Sequence, residues 1–402
     1  MNDVNLSLLQ EIQQKLISIL RIEKGLSDGS LVILKGRKKP VVIGNGVLIK
    51  VNASIGCSKH QDYDGELEKL KLLSKVNYQP DLMMDLSIVK TERPLYHDMI
   101  DIFTGPVGTL PHYLHYSPEK GIEPTKLMDE IELQAEVGVS WMTFHLTPQR
   151  DLYELAQKTR LVPITSRGGG LVIKDMYINN RSENLFMKLF PDILQIMKKN
   201  KVGLSLGTTF RPANIAEAMD EVHINEICLQ GKFISEARKQ GVPVILEAVG
   251  HMPINKYARF VDIIINDLNY NLPLMTLGPI PTDAATGEDH IANAIGATHL
   301  AMLCGTHVIN SITREEHTGQ LPGISSIIEG LKTARVAAHS VNIAKFPINA
   351  LSIDKAISEK RADNYTCVAG YELFTHPDII DLRAGCSRCG DECPLVINFK
   401  LS

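Results

Sequence analysis

The feature that most constrains the fold is a regular alternation of short apolar runs with longer amphipathic segments. Eight β-branched or aromatic runs read as buried strands: Val51–Ile55, Leu82–Leu86, Val107–Leu110, Trp141–Leu146, Val162–Thr165, Val202–Leu206, Val242–Leu246 and Leu274–Leu277. Helical patterns lie between many of them: Gly65–Lys75, Lys126–Glu136, Asn184–Lys199, Ile224–Gln240 and Pro253–Asn266. Strands that alternate with helices predict a parallel sheet, and eight strands are the number that closes a (β/α)8 TIM barrel. A doubly wound open sheet is the alternative.

The positions of the polar residues favour the barrel. Most apolar runs carry an unusual polar side chain at or just beyond the carboxyl end, as at Asn52, His145, Arg211 and Glu247. In TIM barrels the active site lies at the carboxyl ends of the strands. The sequence therefore predicts an active site at this end of the barrel.

The segments around the barrel suggest smaller units. Residues 1–50 contain a predicted helix, Asn5–Ile22, and a predicted hairpin with an Asn45-Gly46 turn between Val41–Ile43 and Val47–Ile49. We expect the barrel to span 51–300 and a helical region to span 301–375. In that region the helix Ile324–Ala344 is expected to pack against a partner subunit, and a less regular segment, Pro347–Ala384, leads to a tail at 376–402.

Composition excludes several classes of protein. The chain has 402 residues, 44% of them hydrophobic, and a net charge of −4. This balance gives no reason to expect nucleic acid as a partner, and no apolar run reaches the roughly 18 residues that would span a membrane. Seven cysteines, four of them far apart in the chain, favour reduced thiols and a cytoplasmic protein.

The tail contains three cysteines, Cys386, Cys389 and Cys393. Three thiolates can hold a cuboidal iron–sulfur cluster and leave one iron open to a substrate or to S-adenosylmethionine. The alternative is a zinc knuckle with a fourth ligand from elsewhere, such as His376 or Asp391.

Three further motifs point to binding. The glycine-rich run that begins Ser166-Arg167-Gly168 suits a phosphate, and Arg211 offers a second cation, although both also occur in ordinary loops. His251 and His290 follow or flank late strands, so they could share a divalent metal such as Zn2+ or Fe2+. The alternative is a pair of loop histidines bonded to the backbone.

An ordered series of short motifs resembles the thiamin-pathway phosphomethylpyrimidine synthase family of radical S-adenosylmethionine (SAM) enzymes. The motifs are Val51–Gly56, Met84–Ser87, Pro106–Pro111, Ser166–Gly169, Ser205–Gly207, Gly250–Pro253, Thr276–Pro279, Asp289–Ile291 and the terminal cysteines. The resemblance implies a homodimeric (β/α)8 barrel, with a flexible C-terminal domain that holds a [4Fe-4S] cluster. It also implies SAM as the radical source, aminoimidazole ribotide as the substrate, and an external electron donor.

Position by position, the resemblance implies a set of site residues. Ribotide binding falls on Asn52, Met84, Tyr113, His145, Ser166, Arg167, Gly168, Arg211 and Glu247. The resemblance places metal ligands at His251 and His290, and cluster ligands at Cys386, Cys389 and Cys393.

The chain departs from the family pattern around the substrate. Thr208 and Thr209 replace Asp-Gly, Thr147 replaces Gly, and Met275 replaces Tyr. These changes predict the branch that makes 5-hydroxybenzimidazole, the lower-ligand base of anaerobically made cobamides, with Thr208, Thr209 and Met275 selecting the product. A phosphomethylpyrimidine synthase is the first alternative, and a non-catalytic zinc-knuckle barrel is another. A paralogous second subunit is an open possibility.

Overall fold

The computed structural model describes residues 19–367 and 386–401. The strands are β1 Leu31–Leu34, β2 Val41–Gly44, β3 Lys50–Ile55, β4 Leu82–Asp85, β5 Val107–Thr109, β6 Tyr116–Ser117, β7 Gly121–Ile122, β8 Trp141–Phe144, β9 Gly203–Leu206, β10 Val244–Ala248, β11 Leu274–Thr276 and β12 Val308–Asn310. The helices are α1 Ile19–Asp28, α2 Tyr63–Leu73, α3 Leu95–Ile102, α4 Pro124–Glu136, α5 Arg150–Thr159, α6 Arg167–Ile178, α7 Leu185–Asn200, α8 Glu221–Gln240, α9 Tyr257–Asp262, α10 Asp289–Met302, α11 Ile324–Lys345, α12 Pro347–Asp363, α13 Cys386–Cys389 and α14 Pro394–Leu401.

Eight parallel strands close into a barrel in the order β3, β4, β5, β8, β9, β10, β11 and β12. The last strand pairs with the first, and Asn310 lies opposite Asn52 where the ring closes. Inside, Trp141 fills the space beside Gly108, where an added Cβ would lie 2.0 Å from the indole. The predicted TIM barrel is therefore confirmed.

One predicted strand is wrong and another was missed. Val162–Thr165 forms no strand: it connects α5 to α6, and Leu161 and Val162 donate their backbone N–H groups to Glu217 instead of to a sheet. The eighth strand is β12, which has three residues and lies beyond residue 300, so the barrel extends past the boundary that we expected.

A small antiparallel sheet closes the amino-terminal end of the barrel. Strand β1 pairs with β2, so that Leu31 lies opposite Gly44. Apolar side chains of both strands, including Leu34 and Ile43, share a buried cluster with barrel residues such as Trp141. The predicted hairpin was wrong in its partner: the Asn45-Gly46 turn is present, but it follows β2, and residues 47–49 form no strand.

The late helices belong to the barrel rather than to a separate unit. Helix α11 packs on α10, and Ala337 and Ala338 are buried against the barrel wall, where small side chains allow a close approach. We expected this helix to contact a partner subunit, but within its run Val336–Ala338 only Val336 is exposed. The first part of the segment that we predicted to be less regular, Pro347–Asp363, forms helix α12. Among the described helices, none is both long enough and apolar enough to cross a membrane.

Candidate active site

A cavity of about 410 Å³ opens at the carboxyl ends of the barrel strands. Its wall contains most of the site residues predicted from the sequence: Met84, Tyr113, His145, Ser166, Arg167, Arg211, Glu247 and His251. The fold thus brings together side chains that lie up to about 170 positions apart in the sequence.

The start of helix α6 forms one wall of the cavity. Ser166 caps the helix by accepting a hydrogen bond from the Gly169 N–H at 3.1 Å, and its hydroxyl lies 2.9 Å from Nε2 of His145. Burial and the neighbouring His112 hold the pKa of His145 well below its usual range, so the ring is neutral. The other ring nitrogen, Nδ1, is buried and has no hydrogen-bond partner among the described residues.

Glycine is required where this helix begins. A Cβ at Gly168 would lie 2.3 Å from Cε1 of His145, so any larger residue would displace the ring. The positive end of the helix dipole and the nearby Arg167 guanidinium together favour an anion in front of the helix. The guanidinium carbon of Arg167 lies 5.8 Å from the centre of the Tyr113 ring, on the same wall of the cavity.

A carboxylate and a second guanidinium occupy the neighbouring wall. Oε1 of Glu247 accepts hydrogen bonds from the hydroxyls of Thr143 at 2.9 Å and Ser205 at 2.8 Å. Burial raises the pKa of Glu247, and the hydrogen bonds and the charge of Arg211 oppose that rise. Arg211 donates to the backbone oxygen of Thr208 at 2.9 Å. The cavity wall therefore contains two guanidinium groups, those of Arg167 and Arg211, and two carboxyl groups, the buried Glu247 and the exposed Glu316.

Two histidines face each other at the edge of the cavity. Nε2 of His251 lies 3.2 Å from Nε2 of His317. Each ring donates its Nδ1–H to an aspartate, His251 to Asp283 at 2.7 Å and His317 to Asp289 at 2.6 Å. With both Nδ1–H groups used in this way, the two Nε2 lone pairs face each other unless a proton or a metal cation lies between them. Carboxylate-backed imidazoles are the usual ligands of Zn2+, so the pair fits a divalent metal.

His290 does not join this pair. Its Nε2 lies 3.6 Å from Oε1 of Glu329, and it is not part of the cavity wall. Within residues 19–367 and 386–401, no group of three or more histidine, cysteine or acidic side chains is placed to hold a metal. A metal on His251 and His317 would therefore keep open positions for water or a ligand.

Little in the sequence marks His317 as a residue that could bind a metal. It follows the very short β12 and sits in the charged run Thr313–His317, which resembles a solvated loop. Because β12 was missed, nothing placed this loop at the carboxyl end of the barrel.

Besides His290 and the three cysteines, five predicted residues are outside the cavity wall: Asn52, Gly168, Thr208, Thr209 and Met275. The Asn52 amide donates to Oδ1 of Asn310 at 2.7 Å and so ties β3 to β12. Met275 is buried inside the barrel in the same cluster as Trp141. The two threonines face a buried carboxylate, Glu226.

The cysteines occupy two successive tight turns. Cys389 ends the one-turn helix α13 and is exposed, and the buried Cys393 donates its N–H to the Gly390 oxygen at 3.3 Å. Three cysteines within eight positions of the sequence are a donor set that fits a cuboidal cluster. His376, the alternative zinc ligand, is outside the described residues.

The barrel, the cavity at the carboxyl ends of its strands and the three-cysteine tail together fit a barrel enzyme that carries an iron–sulfur cluster. The profile of the Radical SAM ThiC family matches residues 5–399, and the chain belongs to that family. Membership implies a [4Fe-4S] cluster and SAM.

Relatives of known name span almost the whole chain. A phosphomethylpyrimidine synthase of Saccharolobus islandicus is 32% identical over 94% of this chain and 91% of its own length. One from Carboxydothermus hydrogenoformans is 34% identical over 89% and 86%. The 5-hydroxybenzimidazole synthase BzaA of Eubacterium limosum is 31% identical over 94% of this chain and 92% of its own length.

Proposed function

We propose that this protein converts 5-aminoimidazole ribotide to hydroxymethylpyrimidine phosphate. The observation that carries the proposal is the cavity itself, in which a helix start and two guanidiniums face a buried carboxyl group. This set of groups matches a ligand with a phosphate at one end and an amino-substituted imidazole at the other. Relatives with the corresponding name, 32–34% identical, support the same choice.

Each wall of the cavity would hold one part of the substrate. Arg167 and the start of α6 would bind the phosphate, with Arg211 as a second cationic partner. Glu247 would accept a hydrogen bond from the amino group or a ribose hydroxyl. His145 would line the same wall, with its Nε2 hydrogen-bonded to the Ser166 hydroxyl.

Cys386, Cys389 and Cys393 would hold the cluster. The cluster together with SAM would supply a deoxyadenosyl radical when an external donor provides an electron. The remaining task of the chain is to orient the ribotide and to keep water from the reacting atoms. We further propose that the enzyme acts as a homodimer in the reducing cytoplasm.

We also propose that His251 and His317 hold the divalent metal. The support is the 3.2 Å separation of their Nε2 atoms and the aspartate behind each ring. This pair replaces the pair of His251 and His290 that we expected from the sequence.

The second candidate product is 5-hydroxybenzimidazole. The specific observation in its favour is that the BzaA relative is nearly as similar as the synthases of the pyrimidine. It ranks second because Thr208, Thr209 and Met275, the residues expected to select that product, are absent from the cavity wall. The structural reason for preferring the benzimidazole is therefore weakened.

Anaerobic incubation of the reconstituted enzyme with reductant, SAM and aminoimidazole ribotide, followed by mass analysis, tests the proposal. Hydroxymethylpyrimidine phosphate and deoxyadenosine are the expected products. If 5-hydroxybenzimidazole forms instead, the second candidate replaces the first, and if no deoxyadenosine forms, both fail. Iron and sulfide analysis separately tests the zinc-knuckle alternative, because a knuckle contains no sulfide.

A further inference from the structure

A buried carboxylate lies directly behind the segment that carries Arg211. Glu226 on α8 is completely buried. Its Oε1 accepts hydrogen bonds from the Thr147 hydroxyl and the Thr209 N–H, both at 2.6 Å. Its Oε2 accepts from the Thr208 hydroxyl and the Phe210 N–H, both at 2.8 Å. We call this set of five residues the Glu226 hub.

Both carboxyl oxygens of Glu226 are needed as acceptors. Each oxygen accepts two hydrogen bonds, and one of the two donors is a backbone N–H group, which cannot become an acceptor. Burial raises the pKa of Glu226, and the four hydrogen bonds oppose that rise. The path of the 208–210 backbone therefore depends on an acceptor at each of the two positions.

The same segment is held from its other side. Arg160 donates to the Phe210 backbone oxygen at 2.8 Å, and it pairs with both oxygens of Asp220 at 2.7 Å. Its side chain is fully buried. Arg211 in turn donates to the Thr208 oxygen at 2.9 Å. The backbone before Arg211 is thus fixed through both its N–H and its C=O groups.

We propose that Glu226 is a positioning residue that presents Arg211 to the phosphate of the substrate. The inference rests on the proposed function, in which Arg211 binds that phosphate. Thr147 and Thr208 supply two of the four hydrogen bonds in the hub, and both are positions where the chain departs from the family pattern. Their role is to hold the carboxylate rather than to contact the substrate.

The test compares binding of aminoimidazole ribotide with binding of its nucleoside, which lacks the phosphate, to the anaerobic holoenzyme by calorimetry. Glu226→Gln puts an amide N–H2 against a backbone N–H, and we expect ribotide binding to weaken about tenfold or more while nucleoside binding stays unchanged. Arg211→Ala should show the same selective loss, and the double variant should lose little more. Thr208→Val should weaken ribotide binding, and Thr208→Ser should retain it.

Glu217→Gln is the matched control, because Glu217 is also buried and accepts two backbone N–H groups, but from Leu161 and Val162. Both of those N–H groups bond the same oxygen, Oε1, so the Gln amide oxygen can still accept them, and binding of ribotide and nucleoside should match the wild type. Equal loss of both ligands in Glu226→Gln, or additive losses with Arg211→Ala, would overturn the positioning role.

A failure of the proposed function would look different. In that case the wild-type enzyme would bind ribotide no better than the nucleoside. Amide hydrogen exchange at Thr209 and Phe210 then tests the hub directly. Exchange about tenfold faster or more in Glu226→Gln would support the hub, and unchanged exchange would refute it.

Discussion

Glu130 on α4 offers a stability test that does not depend on any ligand. Its Oε2 contacts His115 Nε2 at 2.9 Å and Lys90 Nζ at 3.1 Å, and its Oε1 accepts from Tyr96 at 3.0 Å and Gln134 at 2.9 Å. Burial alone raises the pKa of this carboxyl group, but the four hydrogen bonds outweigh burial and hold the pKa at about 2.

The pKa difference sets the expected size of the effect. A shift from the ordinary 4.5 to about 2 corresponds to about 3 kcal/mol of folding free energy at neutral pH. Because the folded pKa is depressed, this contribution is complete above pH 4.5 and declines as the pH falls towards 2. At pH 3 about 1.5 kcal/mol should remain.

Glu130→Gln should therefore lower the free energy of unfolding by about 3 kcal/mol at pH 7 and by roughly half as much at pH 3. Urea denaturation of both proteins at the two pH values measures this. The exposed pair of Glu123 and Lys126 provides the control, and Glu123→Gln should change neither value measurably. A loss in Glu130→Gln that is the same at both pH values would refute the electrostatic argument.

Two further pairs of variants test the metal site and the barrel core. His317→Ala should remove the divalent metal, whereas His290→Ala should retain it. Metal analysis of purified protein that keeps its cluster measures both contents. Equal metal contents in the two variants would contradict the assignment. Gly108→Ala should lower the melting temperature strongly, because its Cβ would lie 2.0 Å from the Trp141 ring, while Gly65→Ala, with nothing within 4 Å, should leave it unchanged or higher; similar shifts in the two would contradict the packing described for the barrel interior.

The barrel could be predicted because buried parallel strands leave a strong signal. The run Val242–Leu246, for example, is apolar along its whole length, as is typical of strands covered on both faces. The same signal failed at Val162–Thr165, where the run is apolar but Leu161 and Val162 are exposed. Amino-acid composition alone does not show which acceptors the backbone N–H groups of an apolar run will find, and so it does not distinguish this loop from a strand.

The site was predicted in part for a related reason. Residues next to long strands, such as His145 and Glu247, were placed correctly at the cavity. His317 was missed because the apolar run of β12 is only Val308-Ile309, between the polar residues His307 and Asn310, which is too short to mark a buried strand. Thr208 and Thr209 were assigned to the substrate because the sequence does not show that Glu226, on the following helix, lies behind them.

The β1–β2 sheet has a consequence for the reaction. Side chains such as Leu34 and Ile43 pack into the amino-terminal end of the barrel, so in the described part of the chain that end is closed and the cavity opens at the carboxyl end. Small molecules, water and dioxygen would then approach the reacting atoms from the carboxyl end. A single cover over that opening would be enough to protect a radical, and its opening and closing would control entry and exit together.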